Sequence, residues 1–180
     1  MKLHLGSGKK YIPGFIHIDL ADFPHIDYKR DISNLSLFKD NSVDLIYCCH
    51  ALEYFDRQKA ELALKEWHRV LKPVGILRLA VPDFEAIIKV YQKYNTLDHR
   101  GILGPLYGKM KVGNDFIYHK TTYDFNSLKK LLESVGYKNI QRYNWYDTIH
   151  KDYDDFSQSF IPHMDKKNGL LISLNVEAEK

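Results

Sequence analysis

The sequence predicts an α/β domain whose core is a mostly parallel sheet, and three observations carry that reading. Short apolar runs alternate with stretches of helical periodicity, an order that places right-handed crossovers between parallel strands. Two of the runs, 43–49 and 76–81, are almost continuously apolar, as strands covered on both faces are. The last run alternates Ile172, Leu174, Val176 and Ala178 with Ser173, Asn175 and Glu177. That is the pattern of a half-exposed strand, often an antiparallel one.

Each element has its own local reason. Leu3-His4-Leu5 is a first strand that stops at the Gly6 turn, and Pro13-Gly14 leads into a second, Phe15-Ile16-His17-Ile18-Asp19. The turn residues Asp40-Asn41-Ser42 introduce strand 43–49. A helix follows. Ala60, Ala63, Leu64, Trp67, Val70 and Leu71 recur at three- and four-residue steps, Asp56 is placed to cap its start, and Pro73 and Gly75 stand past its end. After strand 76–81, Asp83 is the N-cap of a second helix with Phe84, Ile87, Ile88 and Tyr91 on one face. A third helix carries Leu128, Leu131, Leu132 and Val135, with Gly136 where a left-handed C-cap belongs. Residues 138–145 read as one further strand. Only six residues, Lys9 to Gly14, separate the Gly6 turn from the second strand, whereas a full crossover helix needs roughly ten or more. The first crossover helix is therefore shortened or missing.

The 180 residues hold one domain, 1–180, with 95–120 and 146–168 as inserted loops too long for plain connectors. A composition of 44% hydrophobic and 27% charged residues argues against disorder and low-complexity tails. No apolar run approaches the roughly 18–20 residues of a membrane span, and the N-terminus reaches Gly6 too soon for a signal peptide. Cys48 and Cys49 are sequence neighbours, poor geometry for a disulfide. They read as small apolar residues in a reducing compartment, so a soluble cytoplasmic protein is expected. The net charge of +3 is spread over short clusters, unlike the concentrated patch of a nucleic-acid binder. No His-x-x-x-His, Cys-x-x-Cys or clustered-carboxylate motif suggests a metal.

The chemistry-bearing residues sit at predicted strand ends. Gly6-Ser7-Gly8 follows the first strand, where glycines let backbone approach a ligand and where open α/β sheets bind one. Alone, such a turn is more often only a turn. Asp19 closes the second strand, a position from which a carboxylate accepts both hydroxyls of a ribose, or simply caps the next segment. The Asp31 carboxylate and the Ile32 amide match the donor and acceptor edge of an adenine, or end a short third strand. His50 stands at the carboxyl end of strand 43–49, facing a cleft where a base or polar clamp would act.

In this order these residues resemble the class I S-adenosylmethionine-dependent methyltransferases. The closer likeness is to the small type 11-like group with a Leu-x-Leu-Gly-x-Gly first motif. That motif is Leu3 to Gly8 here, followed by the Gly-aromatic-Ile-x-x-Asp strand Gly14 to Asp19. Asn41 to Tyr47 with His50-Ala51-Leu52-Glu53, Glu66 to Pro73 before Gly75, Pro82-Asp83, and Leu128 to Tyr137 match as well. The chain departs from the pattern at His4, where an acidic residue is common, and at Lys10, which replaces the third glycine.

The resemblance implies a Rossmann-like, seven-stranded, mostly parallel sheet with an antiparallel C-terminal strand. It implies S-adenosylmethionine as cofactor, with Gly6, Ser7 and Gly8 at the methionine moiety, Asp19 at the ribose, Asp31 and Ile32 at the adenine, and His50 and Ala51 lining the cofactor. His50 is the first candidate to take a proton from the acceptor, with Asp83, His119 and Tyr123 behind it. The expected activity is methyl transfer to a small molecule, a sugar or another surface-polymer intermediate. The mixture of aromatic and basic residues in 95–120, Lys120 and His119 included, is the expected substrate wall for a polar, anionic acceptor. The last strand, read as exposed, and 146–168 are where a homodimer would form. The alternative reading is a non-catalytic binding or scaffold protein on the same fold. A nicotinamide-dependent dehydrogenase would need glycine at position 11, which is Tyr11.

Overall fold

The computed structural model describes residues 1–97 and 101–180. In chain order the strands and helices are β1 (Lys2–Leu5), β2 (Ile16–Asp19), β3 (Tyr28–Lys29), β4 (Val43–Cys49), α1 (Arg57–Val70), β5 (Leu71–Pro82), α2 (Phe84–Tyr94), α3 (Leu103–Tyr107), β6 (Met110–Val112), β7 (Asp115–Ile117), α4 (Phe125–Val135), β8 (Lys138–Arg142), β9 (Phe160–Ile161), β10 (Leu170–Leu171) and β11 (Ser173–Glu179). Seven strands form one sheet in the order β3-β2-β1-β4-β5-β11-β8. β1 to β5 pair in parallel, and β11 runs antiparallel to both β5 and β8. Strand order reverses between β1 and β4, so the carboxyl ends of these two strands open the crevice where such sheets take ligands.

The three predicted helices form with their predicted caps. Asp56 accepts from the Lys59 amide at 2.8 Å, Asp83 accepts from the Glu85 and Ala86 amides, and Gly136 closes α4 at φ 109. Two boundaries differ from the sequence reading. Leu71 belongs to β5 rather than to the helix: it is fully buried and pairs with Val43. The extra residues before Ile76 are absorbed where the β4–β5 register shifts, with Val74 at φ 57. Residues 138–145 are not all strand, because β8 ends at Arg142 and a 3-10 turn occupies Trp145–Asp147.

The first crossover, 6–15, holds no helix, as its length required, and neither do 20–27 and 30–42. The two faces of the sheet are consequently covered by different means. Leu3, Leu5, Ile18, Ile46, Cys48, Leu77, Leu79, Leu174 and Val176 face α1 and α4 and form the aliphatic core. Ile32, Leu35 and Phe38 from the helix-free third crossover plug the same core. Trp67 Nε1 donates to Ile32 O at 2.7 Å, and Arg69 donates to Leu35 O and Phe38 O, so α1 holds that segment in place. The residues between, on the opposite face, are His4, His17, Tyr47, Ser173 and Asn175, all buried.

Loops cover this second face. Ile12 and Phe15 pack there with Leu45 and Tyr47, and Tyr153 packs beside them. His150 stacks on Tyr47 at 4.0 Å, Tyr47 Oη donates to Asp155 at 2.6 Å, and Asn175 Nδ2 donates to Ser157 O at 2.8 Å. The alternation in β11 therefore misleads. Ser173 and Asn175 are buried because 146–168 folds back over that face, Glu177 is half-buried, and the strand lies inside the sheet between β5 and β8. It offers no edge to a second copy. Segment 95–120 is no plain loop either: it holds α3 and the β6–β7 hairpin, while residues 98–100 lie outside the described residues. No helix among the described residues is long and apolar enough to cross a membrane.

Candidate functional site

The Gly6-Ser7-Gly8 turn leaves β1 at the point of strand-order reversal. Gly6 has φ +65, and a Cβ there would lie 2.5 Å from the Ala51 Cβ and 3.8 Å from Ile32 Cδ1. Glycine is thus required by both backbone and space, and the same contacts bring Gly6, Ile32 and Ala51 together. Gly8, at φ +52, opens onto free space on its Cβ side. Its amide donates to Asp19 Oδ2 at 2.8 Å, and Asp19 Oδ1 accepts from the Ala21 amide at 2.7 Å. Two acceptor positions of a carboxylate that has about four are thereby used. Ser7 Oγ is buried with no protein partner. Asp31 is exposed, one oxygen accepting from both the Ser33 amide and hydroxyl at 2.8 Å, and Ile32 is buried beside it.

At the end of β4 the backbone of His50 turns left-handed, φ 50, while its amide still donates to Ala80 O. The imidazole Nε2 lies 3.1 Å from Ser173 Oγ, and Nδ1 lies 3.5 Å from Glu53 Oε1. His119, carried past the β6–β7 hairpin, reaches the same carboxyl: its Nε2 is 3.7 Å from Glu53 Oε1 and its Nδ1 is 3.0 Å from Pro105 O. Gly108 makes room for that ring, since a Cβ there would sit 2.2 Å from His119 Nε2. Tyr54 stands edge-on to His119 at 4.7 Å, and Phe156, largely exposed, lies 5.4 Å from the His50 ring.

Electrostatics follow burial. Desolvation, with a smaller contribution from His119, lowers the His50 pKa to about 3, and desolvation lowers that of His119 as well. Both rings are neutral at physiological pH. Glu53 is fully buried, neither carboxyl oxygen has a hydrogen-bond partner among the described residues, and burial raises its pKa to about 8. Cys48 and Cys49 are free, with thiol pKa values pushed well up by burial.

The structure brings Gly6, Ser7, Gly8, Asp19, Ile32, Ala51, His50 and His119 to one end of the sheet. Asp83 stands at the end of β5 but is engaged elsewhere, capping α2 and accepting from Arg142 at 3.2 Å. Tyr123 is buried against the same strand end through its bridge to Asp83. His119 turns inward, whereas Lys120 is exposed. Glu53 lies inside the matching stretch His50-Ala51-Leu52-Glu53, yet the sequence reading gives it no role: beyond that match it is only an acidic residue in an apolar-aromatic run, Ala51 to Phe55. Among the described residues, no group of three or more His, Cys, Asp or Glu is arranged to hold a metal ion.

Comparison with known proteins bears on the fold. Residues 15–79 match a family described as a methyltransferase domain. An uncharacterized methyltransferase of Schizosaccharomyces pombe is 26% identical over 145 residues, covering 74% of this chain and 57% of the relative. The demethylmenaquinone methyltransferase of Staphylococcus haemolyticus is 31% identical over 120 residues, 62% of this chain and 47% of the relative. The chain spans about half the length of these curated relatives. Among solved structures, a SAM-dependent methyltransferase from Archaeoglobus fulgidus superimposes with TM-score 0.59 at 14% identity, over 99% of this chain and 85% of its own. The 1,6-didemethyltoxoflavin N1-methyltransferase of Burkholderia thailandensis, solved with its substrate and S-adenosylhomocysteine, gives 0.57 at 14% identity, over 99% and 70%. The fold is that of the class I S-adenosylmethionine-dependent methyltransferases.

Proposed function

We propose that the protein transfers a methyl group from S-adenosylmethionine to a small-molecule acceptor, a sugar or another surface-polymer intermediate. One observation carries the reading: the Gly6-Ser7-Gly8 turn, Asp19, Ile32 and Ala51 converge at the strand-order reversal. The residues present fit the cofactor. Ser7 Oγ is a buried polar atom without a partner, Asp19 keeps acceptor positions for ribose hydroxyls, and Gly8 leaves open space beside the turn. Asp31 keeps one carboxylate oxygen outside its bonds to Ser33 for the adenine amino group. Bound there, S-adenosylmethionine supplies an electrophilic methyl on a positively charged sulfonium.

The positive charge on sulfur disappears in such a displacement, so the chain's task is alignment and exclusion of water. The turn and Ala51 set one wall; Tyr54, His119 and Phe156 set the other, with Lys120 outside it to meet an anionic acceptor. An acceptor hydroxyl or amine must also lose a proton. His50 and His119 border the crevice as the first and second candidates to receive it. Ser173, Pro105 and Glu53 face all four of their ring nitrogens, and burial lowers both pKa values, so either ring would take that proton only by turning away from these partners. Asp83 would act only by releasing the α2 cap and Arg142, so we place it behind them.

Calorimetric titration with S-adenosylhomocysteine tests the reading. Micromolar binding by the intact protein, abolished in Asp19→Ala, is expected. The three helix-free crossovers favour a second reading, a binding or scaffold module. Folded protein that takes up no S-adenosylhomocysteine would establish that one instead.

A further inference from the structure

The bonds of His50 and His119 fix where each ring carries its proton. Asn175 Nδ2 donates to Ser157 O at 2.8 Å, so the amide oxygen of Asn175 faces Ser173. Ser173 Oγ donates to that oxygen at 2.9 Å and has lone pairs left for His50, so His50 Nε2 carries the hydrogen. Pro105 O can only accept, so His119 carries its hydrogen on Nδ1. The two remaining ring nitrogens, His50 Nδ1 and His119 Nε2, both turn lone pairs toward Glu53 Oε1, at 3.5 and 3.7 Å. Apart from the backbone amide of Glu53 itself, a carboxylate there would face two acceptors and no side-chain donor among the described residues, inside a fully buried site. A carboxylic acid would supply the missing hydrogen.

We propose that Glu53 is the positioning residue of the acceptor site: its carboxyl keeps a proton at neutral pH and turns it toward the facing lone pairs of His50 and His119, so that both rings stay neutral with those lone pairs directed inward. The Glu53 carbonyl does the same for the backbone, accepting from the Lys120 amide at 2.8 Å and the Thr121 amide at 3.3 Å. One residue thus joins the end of β4 to the segment that carries His119. The titratable groups around it are uncharged at neutral pH: Cys48 and Cys49 on β4, Tyr54 beside it, Tyr123 ahead of α4, and the two histidines. The raised pKa of Glu53, about 8, agrees with the bookkeeping of donors. The inference rests on the proposed function only in calling this crevice an acceptor site.

The test is NMR on protein labelled with 13C-glutamate and 15N-histidine between pH 5.5 and 9.5, with the Glu53 carboxyl signal assigned by its loss in Glu53→Gln. The expected Glu53 midpoint is near pH 8, roughly 3,000-fold weaker as an acid than an ordinary glutamate. Below it, His50 should be protonated at Nε2 alone and His119 at Nδ1 alone. In Glu53→Gln, whose amide donates as the acid does, both tautomers should persist to pH 9.5, whereas in the parent protein they should shift as Glu53 ionises. A Glu53 carboxyl that shows no midpoint above pH 5.5, or either ring doubly protonated at pH 7, overturns the proposal. Should the variant not fold, the parent decides through any glutamate carboxyl signal that titrates near pH 8, since an ordinary glutamate is already ionised above about pH 5.5. Titration near pH 8 in protein that binds no S-adenosylhomocysteine would sink the methyltransferase reading and leave this inference standing.

Discussion

Lowering the pH should open the loop-covered face of the sheet, and His4 allows the effect to be measured. The ring stacks on Tyr47 at 5.2 Å, stands edge-on to His17 at 5.4 Å, and its Nδ1 is buried without a partner. Burial, with smaller contributions from His17, His150 and His25, lowers its pKa from 6.5 to about 3. Between those values the unfolded chain binds a proton that the native state refuses. His4 therefore costs no stability above pH 6.5, and stability falls as pH drops from 6.5 toward 3. The slope is about 1.4 kcal/mol per pH unit, which makes the loss at pH 5 about 2 kcal/mol. Glu53 acts in the opposite sense, since it holds its proton up to about pH 8 and so favours the native state as pH falls from 8 toward its ordinary value. Comparing His4→Phe with the parent cancels Glu53 and isolates the imidazole, because phenylalanine preserves the stack and cannot titrate. Urea unfolding at pH 7.5 and pH 5.0, followed by the fluorescence of buried Trp67, should show the parent losing about 2 kcal/mol more than the variant. Equal losses in the two proteins would refute a buried neutral His4.

Three further outcomes follow from particular contacts. Gly6→Ala meets both a left-handed φ and the Ala51 Cβ at 2.5 Å, so it should cost about 2–4 kcal/mol in unfolding experiments; pairing it with Ala51→Gly should restore part of that, and a fully stable single variant would contradict the close approach. Trp67→Phe removes the donor to Ile32 O and should cost about 1–3 kcal/mol. It should also weaken S-adenosylhomocysteine binding by loosening Ile32, and unchanged affinity would remove Ile32 from the site. Burial holds both thiols, Cys48 and Cys49, in the protonated form. A thiol reagent should modify neither in the native protein and both in denaturant, so rapid native labelling would show that the end of β4 is open.

The fold was legible wherever its cause was local. Asp56, Asp83 and Gly136 announce helix ends through their own side chain or φ, and the apolar spacing of α1 and α4 marks their buried faces, whereas α2 buries Ala86, Ile87 and Val90 and leaves Phe84, Ile88 and Tyr91 of the expected face exposed. The six residues from Lys9 to Gly14, between the Gly6 turn and the second strand, were enough to exclude a crossover helix. The turn, Asp19, Asp31 and His50 could be located because strand ends in a parallel sheet lie at one side by construction.

The sequence by itself therefore determined the principal strands of the main sheet, its three long helices and their order, but not α3 or the β6–β7 hairpin inside a segment that reads as a loop. Only the tertiary structure decided what covers the second face of that sheet. A period of two says that the faces of β1, β4 and β11 differ, but the partners that bury their polar residues are remote: Asp155 lies 108 positions from Tyr47, and Ser173 lies 123 from His50. The same distance hid Glu53. An acidic residue after a strand reads as solvated until His119, 66 positions along, arrives beside it. A buried group's protonation state depends on which donors and acceptors the fold brings to it, and no window of neighbouring residues contains that information.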